Sequence, residues 1–207
     1  MITVHHLNNS RSQRILWLLE ELEVPYQIKF YQRDAVTNLA PPELKAVHPL
    51  GKSPVVTDGG TTIAESGAIV DYIIRKHGAG RLAPASTAPD HEAYLEWLHY
   101  AEGSAMLPLM LLLYTTRLGE AAAPLKGRID GEIDNHLGYV NQALAGRDYL
   151  LTQGFSGADV QMSFVGEVAR AFGRLEKFAA IAAWVDQLHA RAAFKRALEK
   201  GGAYNLA

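Results

Sequence analysis

The sequence predicts an α/β domain followed by an all-α domain, and three observations carry that expectation. Short β-prone runs with alternating apolar residues flank a helical stretch in the first third of the chain. An Asp58-Gly59-Gly60 turn joins two further β-prone runs. Past the Gly-, Ala- and Pro-rich stretch 78–89, every clear apolar pattern has helical spacing. The expected organisation is an α/β domain over 1–78, a linker over 79–89 and a helical domain over 90–207.

Ile2 and Val4 alternate with Thr3 and His5 as a first strand. Asn8-Asn9-Ser10 interrupts it, and Ile15, Leu18, Leu19 and Leu22 then follow a helical period. Pro25 ends that helix, and Tyr26, Ile28 and Phe30 alternate with Gln27, Lys29 and Tyr31 as a second strand. A strand, helix, strand unit with short joins favours parallel pairing and a right-handed crossover. Residues 32–50 hold Pro41, Pro42 and Pro49 and read as a loop with a short helical turn around Glu43 to Val47. The hairpin Ser53 to Ala64 follows, then a helix from Ser66 to about Lys76. The order βαβ, loop, ββα predicts a four-stranded mixed sheet with helices on its faces.

In the second half, one helix starts near Asp90 with Tyr94, Leu95, Leu98 and Ala101 inward, and another carries Ile129, Ile133, Leu137, Val140 and Leu144. Ser156-Gly157-Ala158-Asp159 reads as a variant capping box ahead of Val160, Phe164 and Val168, and Ile181, Trp184, Val185 and Leu188 mark one more helix. The longest apolar run, Ala105 to Tyr114, is too short to span a bilayer, contains Pro108 and is expected to be a buried helix.

Composition narrows the chemistry. The 207 residues are 48% hydrophobic with a formal net charge of -2, which argues against a broad nucleic-acid face. There are no cysteines, so a disulfide framework, a thiolate metal site and a cysteine nucleophile are excluded. The eight histidines show no metal-binding spacing, and no metal is expected. The first residues lack the basic region and apolar core of a signal peptide, and the expected location is the cytoplasm with no membrane contact.

Two stretches suggest a site. Ser66 is a good N-cap residue, Gly67 leaves the first helical N–H groups open, and Glu65 adds a carboxylate beside them. Donors and a carboxylate together suit a zwitterion such as the α-amino acid end of a small peptide; an ordinary cap with a solvated Glu is the alternative. Ser10, Arg11, Ser12 and Arg14 lie where the first strand hands over to the first helix, the usual ligand end of a parallel unit. A serine there can donate to an anion, or simply cap the helix.

Four fragments in order resemble the cytosolic glutathione S-transferases along essentially the whole chain: 10–22, His48-Pro49-Leu50-Gly51-Lys52-Ser53-Pro54, Glu65-Ser66-Gly67-Ala68-Ile69, and Ser156-Gly157-Ala158-Asp159. The first of them resembles a serine-type branch of bacteria and fungi. The resemblance implies a thioredoxin-like fold for the α/β domain and a helical bundle behind it. It implies that Glu65 and Ser66 hold the γ-glutamyl end of glutathione, that Pro54 is cis and lets the main chain of Ser53 pair with the cysteinyl unit, and that Lys52, with His48 nearby, binds the glycine carboxylate. Ser10 would then stabilise the thiolate as a hydrogen-bond donor, with Asn9, Ser12 and Arg11 as rivals or helpers. Lowering a thiol pKa by ~2 units from about 8.5 requires ~2.7 kcal/mol, within reach of one charge-assisted hydrogen bond and a helix N-terminus.

Tyr100, Glu102, Gly103, Ser104 and Met106 are the residues of the helical domain expected to line a site for the electrophile, although Met and aromatic side chains at helical spacing are also core residues. Asp159 and Ser156 are assigned to structure. The implied activity is conjugation of glutathione, as co-substrate, to small hydrophobic electrophiles in detoxification, with peroxide reduction as a side activity, by a homodimer. A glutathione- or ligand-binding or interaction module on the same fold is the alternative.

Overall fold

The structure, a computed structural model, describes residues 1–206 and divides by packing into two compact units, Met1–Ala85 with Leu188–Leu206, and Ser86–Gln187. Among the described residues no helix is long and apolar enough to cross a membrane.

In the first unit, β1 (Ile2–Leu7), α1 (Ser12–Glu21) and β2 (Tyr26–Tyr31) form the expected parallel crossover, with β1 and β2 paired from Ile2 and Tyr26 to Leu7 and Tyr31. β3 (Val55–Asp58) and β4 (Thr61–Ala64) form the hairpin, and β3 pairs antiparallel with β1, so the order is β2-β1-β3-β4. Gly59 turns the hairpin at φ +60°, where a side chain would be strained. The helix α2 (Ser66–His77) follows β4 directly and packs on α1.

Because side chains alternate along β1, Leu7 and His6 face opposite ways. Leu7 and Tyr31 pack on Leu44, which lies in a short 3-10 turn, Pro42–Ala46. Helices were expected on both faces of the sheet; on this side the covering element is that irregular segment, anchored by one leucine. His6 faces the side where α1 lies.

One helix was not among the expected elements. α8 (Ala192–Gly201) belongs to the first unit, so packing separates it from the rest of the 90–207 stretch. Its partners explain why. Trp17 of α1 meets the Phe194 ring edge-on at 5.3 Å, and Arg191, just before α8, grips Glu21 with Nε and Nη2 at 2.6 and 3.0 Å. Arg196 donates to Glu20 at 2.9 Å, and Lys200 and Tyr26 donate to the same carboxylate. Burial opposes the charge on Glu20, but these three donors outweigh it and hold its carboxyl below the usual range. α1 is therefore buried without a break from Ser12 to Glu20, wider than its apolar stripe.

The second unit contains α3 (His91–Tyr100), α4 (Met106–Thr116), α5 (Ala123–Ala143), α6 (Gly157–Ala171) and most of α7 (Ala179–Ala190). The capping box is present as expected: the Ser156 side chain accepts from Ala158 N–H, and Asp159 accepts from Ser156 N–H at 3.0 Å. Asp159 also accepts from Leu150 N–H at 3.0 Å and Trp184 Nε1–H at 3.1 Å, so one carboxylate ties the start of α6 to the preceding loop and to α7.

The apolar run at 105–114 corrects an expectation. Met106, Pro108 and Leu109 are buried, but Leu107 is 56% and Tyr114 60% exposed, with Leu111 and Leu113 also exposed. Period alone cannot tell a face that meets the core from one that meets something else. Between α3 and α4 the backbone widens into one π turn, Ala101–Ala105. Pro108, in the first turn of α4, has no N–H and its ring crowds the carbonyl four residues back, which accounts for a departure from regular α geometry there.

Candidate active site

At the carboxyl end of β1 the chain makes a tight turn before α1. Asn9 takes φ +50°, a conformation Asn tolerates, and Arg33 braces the turn by donating to the carbonyls of Asn8 and Asn9, both at 3.2 Å. The Asn9 side-chain oxygen accepts Asn205 N–H at 2.8 Å, so the amide is turned to the segment after α8. Arg11 occupies the N-cap position of α1 and is partly exposed.

Ser10 and Ser12 are both buried and share one network. Ser10 Oγ lies 2.8 Å from Leu7 O and 2.8 Å from Ser12 Oγ, and accepts Ser12 N–H at 3.2 Å. Ser12 Oγ in turn lies 2.9 Å from His6 Nδ1 and accepts Leu7 N–H at 3.2 Å. His6 Nε2 is 3.1 Å from the Gly201 carbonyl, which can only accept. Nε2 therefore carries the proton, Nδ1 is an acceptor, and Ser12 donates to it. Burial pushes the His6 pKa down, against the Gly201 bond that raises it, and keeps the ring neutral. His6 is absent from the sequence-based candidates because a histidine in a strand reads as an alternation residue.

Glu65, not Ser66, stands at the N-cap position of α2, with φ +66° and no side-chain cap, so Ser66 is the first helical residue and Gly67 the second. This shifts the expected cap by one position. A non-glycine residue held at positive φ is strained, and such strain collects at ligand clamps. Ser66 does not cap the helix and instead accepts from Arg14 Nη2 at 2.5 Å. The opening N–H groups of α2 have no intrahelical partners, and Glu65 is exposed beside them. Arg14, named only as a neighbouring arginine in the sequence, thus joins α1 to the start of α2; a buried arginine inside an apolar stripe was the available signal.

The Ser53-Pro54 bond is cis, as the resemblance implied. Ser53 is part-buried and its hydroxyl donates to His5 O at 2.9 Å, so the side chain fixes the loop to β1. Lys52 is exposed, and His48 is partly buried with Nδ1 accepting Leu50 N–H at 3.4 Å. In the helical unit, Met106 is 1% exposed and sits in the core, while Glu102 and Ser104 are partly exposed and Gly103 is open. Tyr100 shares a 2.7 Å hydrogen bond with His136 Nδ1, and burial, with Tyr139 and Glu96 nearby, pushes its hydroxyl up to about 12.

This arrangement has relatives. Residues 1–75 match the family pattern described as glutathione S-transferase, N-terminal domain. The chain is 35% identical to glutathione S-transferase 3 of Schizosaccharomyces pombe, over 97% of this chain and 88% of that protein. It is 31% identical to glutathione S-transferase 1 of Saccharomyces cerevisiae, over 98% and 96% of the two chains. Among solved structures, a glutathione S-transferase from Actinobacillus pleuropneumoniae superposes with a TM-score of 0.90 at 30% identity, covering 100% of this chain and 95% of that one. With sequence and fold matched along nearly their full lengths, this chain belongs to the glutathione S-transferase family.

Proposed function

We propose that the protein binds glutathione in its first unit, stabilises the thiolate and transfers it to the electrophilic carbon of a small hydrophobic compound. The observation that carries this reading is the Arg14–Ser66 bond, which couples a charged anchor at the start of α2 to the same helix whose entry turn holds Ser10. Glu65 would take the ammonium of the γ-glutamyl end, and Ser66 with the adjoining N–H groups its carboxylate. The main chain at Ser53 and Pro54 would pair with the cysteinyl unit, and Lys52 with His48 would meet the glycine carboxylate. That order leaves the thiol for Ser10, with Asn9, Arg11 and Ser12 around it. On the helical unit, Tyr100, Glu102, Gly103 and Ser104 are the proposed contacts of the electrophile. The π turn supports the choice, since such turns recur at functional sites.

The test is an ultraviolet titration of bound glutathione beside Ser10→Ala. The wild-type protein should ionise the thiol well below its free value of about 8.5, and the variant should raise it by about 1–2 units, the loss of one charge-assisted hydrogen bond. A bound thiol that titrates as in water supports a binding module without turnover instead.

We also propose a homodimer. Leu107, Leu111 and Tyr114 are exposed apolar side chains at helical spacing on α4, and Val36, Leu39 and Leu50 of the first unit are exposed as well; a second copy of the chain would cover such surface. Light scattering at micromolar concentration should give twice the chain mass; a single-chain mass rejects it.

A further inference from the structure

A thiol that becomes a thiolate hands its proton to some acceptor, and the hydroxyl chain beneath Ser10 ends on a base. Ser12 donates to His6 Nδ1 at 2.9 Å, so its proton is committed inward. Ser10 then has one proton and two acceptors at 2.8 Å, Leu7 O, to which it donates, and Ser12 Oγ, and both lie inward. Ser10 thus presents a lone pair outward. Such an oxygen is set to receive an S–H proton, whereas holding a thiolate needs the whole chain reversed.

We propose that His6 takes up the proton that the glutathione thiol loses, acting through Ser12 and Ser10. The inference rests on the reading of Ser10 as the hydroxyl that meets the thiol. The S–H bond breaks with its electron pair left on sulfur, and that proton forms a new O–H bond at Ser10 Oγ. The former Ser10 proton passes to Ser12 Oγ, and the former Ser12 proton forms N–H at His6 Nδ1. Reactant and product are both neutral overall: thiol and imidazole become thiolate and imidazolium. Every donor now points outward, from His6 to Ser12, from Ser12 to Ser10, and from Ser10 to sulfur.

Among the described residues, the ring of His6 meets the Ser12 hydroxyl from α1, the Phe30 ring of β2 in a T-shaped contact, and the Gly201 carbonyl at the end of α8. None of the three carries a charge. His6 is 2% exposed, and burial keeps it unprotonated and ready while the site is empty. Once formed, the imidazolium is favoured by the thiolate at the outer end of the chain. It is favoured also by α8, whose last carbonyls are the negative end of a helix and lack intrahelical donors. Nε2–H already donates to one of them, so no rearrangement is needed there.

The experiment counts protons with the full chain. Glutathione is titrated calorimetrically in buffers of different ionisation enthalpy, with S-methylglutathione as the control that lacks the thiol proton, while thiolate is followed by ultraviolet absorbance. The expected result is thiolate formation with no net proton released near neutral pH, together with an imidazolium pattern for His6 in nitrogen NMR. His6→Gln, which can keep a donor toward Gly201 and an acceptor toward Ser12 but cannot take up a proton, should release a full proton and raise the bound thiol pKa by about one unit, tenfold in ionised fraction. Thiolate formed in the wild-type protein with a full proton released, or a His6 ring that stays neutral, overturns the role of His6 and leaves thiolate activation standing. No thiolate in the wild-type protein overturns both. The NMR and calorimetric results on the wild-type chain decide the matter even where His6→Gln fails to fold.

Discussion

Asp159→Ala should lower the melting temperature of the protein by about 8–16 °C, equivalent to about 4 kcal/mol in a chain of this size. The carboxylate accepts from Ser156 N–H, Leu150 N–H and Trp184 Nε1–H, and alanine leaves all three donors buried without an acceptor. Each such orphan costs roughly 1–3 kcal/mol. Asp159→Asn is the informative companion, because it keeps one acceptor oxygen and should lose about half as much. A drop below about 3 °C for the alanine variant would mean that the loop 150–156 relaxes and rehydrates, and that the carboxylate is dispensable.

Arg14→Met should weaken glutathione binding about 10- to 100-fold, the loss of one charged hydrogen bond at the anchor. Methionine retains much of the arginine stem inside α1, so packing is largely kept while Ser66 loses its donor. Ser66→Ala should have a similar effect, and the two changes together should be less than additive, since they break one bond from either side. Calorimetric titration of glutathione with the three variants checks this. Unchanged affinity in Arg14→Met would show that Arg14 only ties α1 to α2 and that the zwitterion is held elsewhere.

What could be read from the sequence was what is local. Asp58-Gly59-Gly60 makes a hairpin from its own backbone preferences, and Ser156 with Asp159 caps a helix three residues away. The period of α1 reflects covering by neighbours in the same unit, whereas the expected alternation of β2 fails at its end: Phe30 is 59% exposed and Tyr31 is buried. What escaped was set by distant partners. α8 is short, and it docks on α1 through Glu20 and Glu21, carboxylates that look like the solvated end of a helix until Arg191, Arg196 and Lys200 are brought to them.

The candidate site divides the same way. Glu65 and Ser66 were visible as a helix start with a carboxylate beside it, but the one-residue shift of the cap depends on a positive φ at Glu65 that residue type does not announce. Ser10 was visible as a hydroxyl at the ligand end of a strand. The direction of its proton was not, because that depends on His6, and the tautomer of His6 depends on Gly201. The exposed leucines of α4 show the reverse error: a correct apolar pattern assigned to the wrong kind of burial.

The bond from His6 to Gly201 spans 195 residues of chain. During synthesis, β1, Ser10 and Ser66 leave the ribosome long before α8 exists, and α1 waits with one flank uncovered while the entire second unit is made. The His6–Gly201 bond therefore forms late, once α8 exists to dock on α1. The same wiring gives a protease a distant handle: a cut between Arg191 and Gly201 that loosens α8 would free His6 from the carbonyl that sets its tautomer, while β1 stays paired with β2 and β3.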